Sequence, residues 1–300
     1  MDHVPRPRRR TVLAGMGTLL GAGCLGADRT PAATEADWRM YGRDPGRTRF
    51  VPDADLPRDG VEIAWSRSVG ASGWLPPVVA NGTVVVKGRV VGGPVLVGLD
   101  LADGTRKWTA GEGRPSELQV EPSDSMAAHD GAVYTVGWTE SDSIRPIRIR
   151  EFDASSGERG WGRTLERSSH VGFAVDETSV YHVGTIEADD GSDPIGIVAL
   201  DREDGSVRWT KTVDDRAGSV LTEEGPPPTV AGDLLLVPGG EGLHALATGD
   251  GERLWTFTET VGTSGGGETE RAGLTPPVVA GDRIVIGTTL MLYGLGDDGD

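Results

Sequence analysis

Cysteine is nearly absent: Cys24 is the only one among 300 residues. A single thiol excludes an intrachain disulfide, a CxxC zinc site and a cysteine-ligated cluster. A chain of this length has no need of such staples, because folding can bury about 75% of its surface. Lysine is almost as scarce, with Lys87, Lys107 and Lys211 the only three among 29 basic residues. The balance is acidic, at −17 overall. Nucleic acid, which needs a basic face, is therefore excluded as a partner. No apolar run is long enough to span a bilayer as a helix, and no stretch keeps a 3.6-residue apolar period. Helix is expected to be almost missing.

The longest uncharged run near the start, Thr11 to Gly23, follows Arg8-Arg9-Arg10 and contains Val12, Leu13, Leu19 and Leu20. Those are signal-peptide proportions. Arg9 and Arg10, followed by Thr11-Val12-Leu13, resemble a twin-arginine export signal. Gly21-Ala22-Gly23-Cys24 resembles a lipobox, which implies cleavage before Cys24 and lipidation of its thiol. The expected division is a signal over 1–23 and a lipidated cysteine with tether and end cover over 24–60. A repeat-containing domain over 61–300 follows. Abundant carboxylates with scarce lysine suit a surface kept hydrated in strong brine, where screening mutes self-repulsion. In this the chain resembles exported proteins of salt-loving archaea. The expected location is the outer side of the cell membrane, held by lipid.

What the chain does have is tryptophan, eight against four each of phenylalanine and tyrosine, and most of it recurs in one setting. The segments GLDLADGTRKW (98–108), EFDASSGERGW (151–161), ALDREDGSVRW (199–209) and ALATGDGERLW (245–255) share one length and one register. Gly104, Gly157, Gly205 and Gly251 each precede Trp108, Trp161, Trp209 and Trp255 by four positions. Asp100, Asp153 and Asp201 hold the third position, where the last copy has Ala247. Glycine supplies the positive φ of a tight hairpin and aspartate can bond the turn amides. A second hairpin lies upstream of each: PPVVANGTVVV (76–86), MAAHDGAVYTV (126–136), FAVDETSVYHV (173–183), PPTVAGDLLLV (227–237) and PPVVAGDRIVI (276–286). Together they give four short strands per unit. The tryptophans lie 53, 48 and 46 residues apart, near the spacing of propeller blades. The fold expected is all-β, a propeller of about five four-stranded blades. The fifth unit lacks a fourth strand, and VEIAWSRSV (61–69) offers one, with Trp65 placed like the repeat tryptophans. That N-terminal strand is expected to close the ring and remove two sheet edges.

The A-x-D-x-x-x-G-x-x-x-W pattern resembles the tryptophan-docking repeat of PQQ-like β-propellers, over roughly residues 61–300. DWRMYGRDPGRTRF (37–50) resembles the opening segment of salt-adapted members. The superfamily holds quinoprotein dehydrogenases and the assembly lipoprotein BamB. The resemblance implies that Trp108, Trp161, Trp209, Trp255 and Trp65 pack between neighbouring blades. Two functions follow from it. One is a non-catalytic, monomeric scaffold of the BamB type, offering a propeller face to a protein partner or small ligand and held to the membrane by its lipid. The other is a PQQ-dependent oxidoreductase, which in this family uses calcium, an aspartate base and often a vicinal disulfide. With one cysteine, and no acidic motif of those enzymes to place, the scaffold is favoured and neither PQQ nor calcium is expected. No catalytic residue is assigned.

Other candidates carry less. Ser264 in GTSGG (262–266) matches a nucleophile-elbow pattern, but that motif works on a strand-to-helix turn and here joins two strands. Asp189, Asp190 and Asp193 could offer oxygens to calcium, although their spacing is not that of an EF-hand loop. His129, His170, His182 and His244 contain no pair at metal-ligand spacing. Trp74 and Trp138 fall outside the repeat and could anchor a partner on a propeller face.

Overall fold

The computed structural model describes residues 62–69, 76–90, 93–111, 126–138, 146–165, 172–186, 194–214, 226–239, 242–258, 274–288 and 291–296. All lie in one compact unit, Pro31–Asp300, and every regular element among them is a strand. The strands form five antiparallel meanders in chain order. Blade 1 holds β1 (Val78–Ala80), β2 (Thr83–Val90), β3 (Gly93–Asp100) and β4 (Arg106–Ala110). Blade 2 holds β5 (Met126–His129), β6 (Ala132–Trp138), β7 (Ile147–Asp153) and β8 (Arg159–Leu165). Blade 3 holds β9 (Gly172–Val175), β10 (Ser179–Thr185), β11 (Ile195–Asp201) and β12 (Val207–Asp214). Blade 4 holds β13 (Thr229–Ala231), β14 (Leu234–Gly239), β15 (Gly242–Ala247) and β16 (Arg253–Phe257). Blade 5 has three strands, β17 (Val278–Ala280), β18 (Arg283–Gly287) and β19 (Leu292–Leu295).

Local chemistry sets the turns. Asn81-Gly82 and Asp130-Gly131, which join β1 to β2 and β5 to β6, hold φ of 48°, 66°, 47° and 79°. Two successive positive φ values are what a two-residue hairpin of matching twist requires, and Asn-Gly and Asp-Gly meet the need best. In the second hairpin of the unit the third-position aspartate ties the turn. Asp100 Oδ1 accepts from the Ala102 amide at 2.8 Å and Asp201 Oδ1 from the Glu203 amide at 2.9 Å. The Ala102 amide, with Lys107 second, holds the Asp100 carboxyl below the usual range.

The core is not within the blades but between them. Strand faces alternate, so each sheet buries one face against its predecessor and one against its successor. Val133 and Phe152 of blade 2 pack with Val85 and Trp108 of blade 1, while Tyr134 and Ile149 pack with Val180 and Leu200 of blade 3. Blades 3 and 4 share Tyr181, Trp209 and Leu235. Blades 4 and 5 share Leu236, Leu243 and Ile286. This stack of meander sheets is a β-propeller. Residues 62–69 form no ladder among the described residues, yet Trp65 and Val69 pack with Val84 and Leu99 of blade 1.

The tryptophans bridge these seams. The indole Nε1 of Trp108 donates to Ala154 O in the blade 2 hairpin at 2.8 Å, that of Trp161 to Arg202 O in blade 3 at 2.9 Å, and that of Trp209 to Thr248 O in blade 4 at 3.1 Å. Trp65 makes the same bond to Leu101 O of blade 1 at 3.0 Å. Each ring also lies on the hairpin glycine of the blade it reaches: Gly104, Gly157, Gly205 and Gly251 face Trp65, Trp108, Trp161 and Trp209. Trp255 is 36% exposed. The turn that would receive it lies beyond Gly296, outside the described residues.

His182, on β10, is fully buried, and desolvation drags its pKa down to about 3. The unfolded chain takes up a proton near pH 6.5 and the folded chain does not, so stability is lost as pH falls from about 6.5 towards 3. By pH 5 this one group costs about 2 kcal/mol. Urea melts at pH 7 and pH 5 should therefore differ more for the wild type than for His182→Thr, the residue blade 2 has at the equivalent Thr135. Equal differences would show that His182 is not the group responsible.

Candidate functional site

Blade 2 breaks its own repeat. The first hairpin position is Gly98, Ala199 and Ala245 in blades 1, 3 and 4, each the cross-strand partner of its tryptophan. A Cβ on Gly98 would run into the Trp108 indole, so the position wants a small residue. Blade 2 has Glu151 there, with Oε2 3.4 Å from the Trp161 amide nitrogen. Trp161 is correspondingly half-buried, where Trp108 and Trp209 are each 9% exposed.

Around Glu151 the turns of two blades converge. The Asp130-Gly131 turn puts Asp130 Oδ2 3.1 Å from His129 Nδ1. Arg202, from the blade 3 hairpin, places Nη2 3.2 Å from the same Asp130 oxygen and Nη1 3.0 Å from His129 Nδ1. The same guanidinium donates from Nε to Glu177 O at 2.8 Å. Three contacts from one side chain fix it as the hub of the seam. Tyr134 stacks obliquely on Trp161, with centroids 5.9 Å apart and planes at 39°. Burial pushes the Tyr134 hydroxyl up, and the Glu151 charge adds to it. Burial also raises the Glu151 carboxyl, against lowering by the Trp161 amide and Arg202.

Beside this cluster opens a cleft of about 310 Å³, lined by Asp130, Gly131, Ala132, Glu151, Asp153, Glu158, Arg159 and Gly160. Asp153 is committed to its turn, where Oδ1 accepts from the Ser155 and Ser156 amides at 3.0 and 2.7 Å. The lining is strongly negative, with Arg159 the single cation. Its chemistry is that of a polar recognition surface. Among the described lining residues there is no serine, threonine or cysteine to act as a nucleophile. Among the described residues no three histidine, cysteine, aspartate or glutamate side chains come together as a metal site.

Asp189, Asp190 and Asp193, together with Cys24, Arg9, Arg10, Ser264, His170 and Trp74, lie outside the described residues. Trp138 ends β6; His182 and His244 lie on β10 and β15. His129 and Trp161 enter the cluster, and Asp153 lines the cleft beside it. Glu151, Asp130 and Arg202 escape sequence reasoning, although one signal was present: a carboxylate at a position that is glycine or alanine in the other three copies.

A family described as outer membrane protein assembly factor BamB, built of PQQ-type repeats, matches residues 57–139 and 147–299. The chain belongs to that BamB-like PQQ-repeat family. Among solved structures, this BamB-like propeller is similar to BamB from Moraxella catarrhalis at 17% identity and a TM-score of 0.50, over 79% of this chain and 65% of that one. It is also similar to the quinohemoprotein alcohol dehydrogenase ADHIIG of Pseudomonas putida HK5, at 15% identity and a TM-score of 0.60, covering 87% and 46%. The quinohemoprotein alcohol dehydrogenase of Comamonas testosteroni gives 17% identity and 0.57, covering 87% and 47%. At such identities the likeness is one of fold. The chain spans just under two thirds of the BamB and about half of each dehydrogenase. No curated protein sequence matched the chain.

Proposed function

We propose that this BamB-like propeller is an exported, lipid-anchored binding protein without catalytic activity. It presents the turn face of blades 2 and 3 to a protein partner or small ligand outside the cell membrane. One observation carries the reading. The repeat residues are spent on holding blades together, and the copy that departs from the repeat builds a polar cleft at a seam. Supporting the location are Arg9-Arg10, the short uncharged run and Cys24. The acidic, lysine-poor composition supports work in strong salt.

The test is native mass spectrometry of the full chain produced in a salt-adapted host, with PQQ and calcium added to one sample. The reading expects a mature chain starting at an acylated Cys24, with neither PQQ nor calcium retained and no dye reduction with alcohols. Retained quinone with dye reduction would establish an oxidoreductase instead, and an intact, unacylated Met1 form would remove the export claim.

Glu151 gives a second check. Its ionised form is disfavoured in the fold, so stability falls as pH rises through the carboxylate range. Glu151→Gln should raise the melting temperature at pH 7 and narrow the gap between wild type and variant towards pH 4. An unchanged or lower value at pH 7 would mean that Glu151 is a structural ion-pair partner of Arg202, not a residue held at a cost for recognition.

A further inference from the structure

The Nδ1 nitrogen of His129 is touched by a donor and an acceptor at once. The residue ends β5 and is 6% exposed. Arg202, from the blade 3 hairpin, puts Nη1 3.0 Å from this nitrogen, and Asp130 puts Oδ2 3.1 Å from it. The two partners also meet each other, Nη2 to Oδ2 at 3.2 Å. A guanidinium keeps its protons and only donates, whereas an ionised carboxylate only accepts. Nδ1 holds either a lone pair or a proton. Bare, it accepts from Nη1 while Oδ2 accepts from Nη2, so the guanidinium edge is satisfied at both ends. Protonated, it can bond only to Asp130, and the contact with Arg202 becomes one between two cations.

Around this triangle, β6 and β7 contribute Tyr134 and Glu151, both within the field of Arg202. The β9–β10 turn gives Arg202 Nε the backbone oxygen of Glu177 at 2.8 Å. Asp176 of that turn is held by the Thr178 and Ser179 amides and by the Tyr181 hydroxyl. In the Arg202 hairpin Asp201 is paired with Arg208 at 3.1 Å, and Glu203 and Asp204 are exposed. Asp153 bonds the amides of its own turn. From blade 1 the uncharged Asn81 lies on Gly131, and Lys107 is paired with Asp100. Among the described residues, Asp130 and Arg202 are therefore the charges in contact with Nδ1.

We propose that His129 is a proton-operated latch on the seam between blades 2 and 3. Neutral, it holds Arg202 through the bare Nδ1. Protonated, it takes Asp130 and lets the Nη1 end of Arg202 go, leaving Glu151 as the other carboxylate of the cluster. Asp130 and Glu151 both line the cleft, so the proton redistributes charge along its wall. Histidine ionises between about pH 5 and 8, which sets the working range. Any control over a ligand rests on the recognition role proposed above; the latch itself does not.

The test is NMR of the full chain with isotope-labelled histidine and tryptophan, titrated from about pH 8 to about pH 5 in potassium chloride. No ligand is added, so a cleft that binds nothing leaves the result intact. The His129 ring should titrate in that window. The Trp161 indole N–H, bonded to Arg202 O at 2.9 Å, should shift with the same midpoint. His182, with its pKa of about 3, is silent there. His129→Asn puts an amide that takes no proton at this position and should abolish the Trp161 shift. Asp130→Asn removes the charge that receives the imidazolium and should move the His129 midpoint to lower pH by about one unit or more. That variant is expected to fold, since blade 1 has Asn81 at the equivalent position with φ of 48° against 47°. A His129 ring that takes no proton in the window would overturn the proposal. So would a Trp161 shift that persists in His129→Asn, or a midpoint unmoved in Asp130→Asn.

Discussion

Trp209→Ala should lower the unfolding free energy by about 3–5 kcal/mol, read as a shift in denaturant midpoint in molar salt. The indole is 9% exposed, donates to Thr248 O at 3.1 Å and lies 5.8 Å from Tyr181 with planes at 42°. Burying an indole takes about 150–250 Å² out of water, an upper bound of roughly 4–6 kcal/mol at 25 cal/mol per Å². Deleting it leaves a hole between two sheets that cannot close without moving a blade. The loss should be in stability, with any ligand affinity of the surviving folded protein unchanged. A midpoint equal to that of the wild type would mean that the ring is not what joins blades 3 and 4.

Gly157→Ala should cost nearly as much, about 2–4 kcal/mol, for a single methyl group. Gly157 sits at φ 72°, where an L-residue is strained by about 1–2 kcal/mol. Its Cβ would stand 2.5 Å from Cδ2 of the Trp108 indole, a ring that is itself 9% exposed and bonded to Ala154 O. The indole has to move or the turn has to open, and either loosens the blade 1–blade 2 seam. The comparison that isolates the clash is Gly232→Ala, also at positive φ, 63°, but with nothing within 4 Å of a Cβ. That variant should show the backbone strain alone. Equal losses at the two sites would leave no role for the tryptophan contact.

The fold was readable because its determinants are local and repeated. Gly205 and Trp209 are four residues apart, and a period-two apolar pattern flanks them, so both strands and the turn between them follow from one short segment. The register of the whole propeller follows from its recurrence. Asp250 illustrates how local the rule is: its Oδ1 accepts from the Glu252 amide at 2.9 Å, as Asp103 and Asp204 accept from the amides two residues on in blades 1 and 3. The candidate site was less readable because its members come from different blades. Arg202 looks like an ordinary exposed residue of a DREDG turn until blade 3 is set beside blade 2 and its guanidinium meets Asp130 and His129. Glu151 could have been found from the repeat alone, by asking why one copy has a carboxylate where the others have a small residue. The N-terminal strand expected over 61–69 has Trp65 in the docking position on blade 1, while β17–β19 remain a three-stranded sheet among the described residues.

The propeller is held where Trp65, Trp108, Trp161 and Trp209 each lie on the hairpin glycine of the following blade. A double-mutant cycle on Trp108→Ala and Gly157→Ala tests it most directly, by denaturant unfolding in molar potassium chloride. If the ring rests on Gly157, the methyl's clash vanishes once the indole is gone. The two losses should then fall short of additive by about 1–3 kcal/mol. Strict additivity would contradict the docking and leave the repeat without its stated purpose.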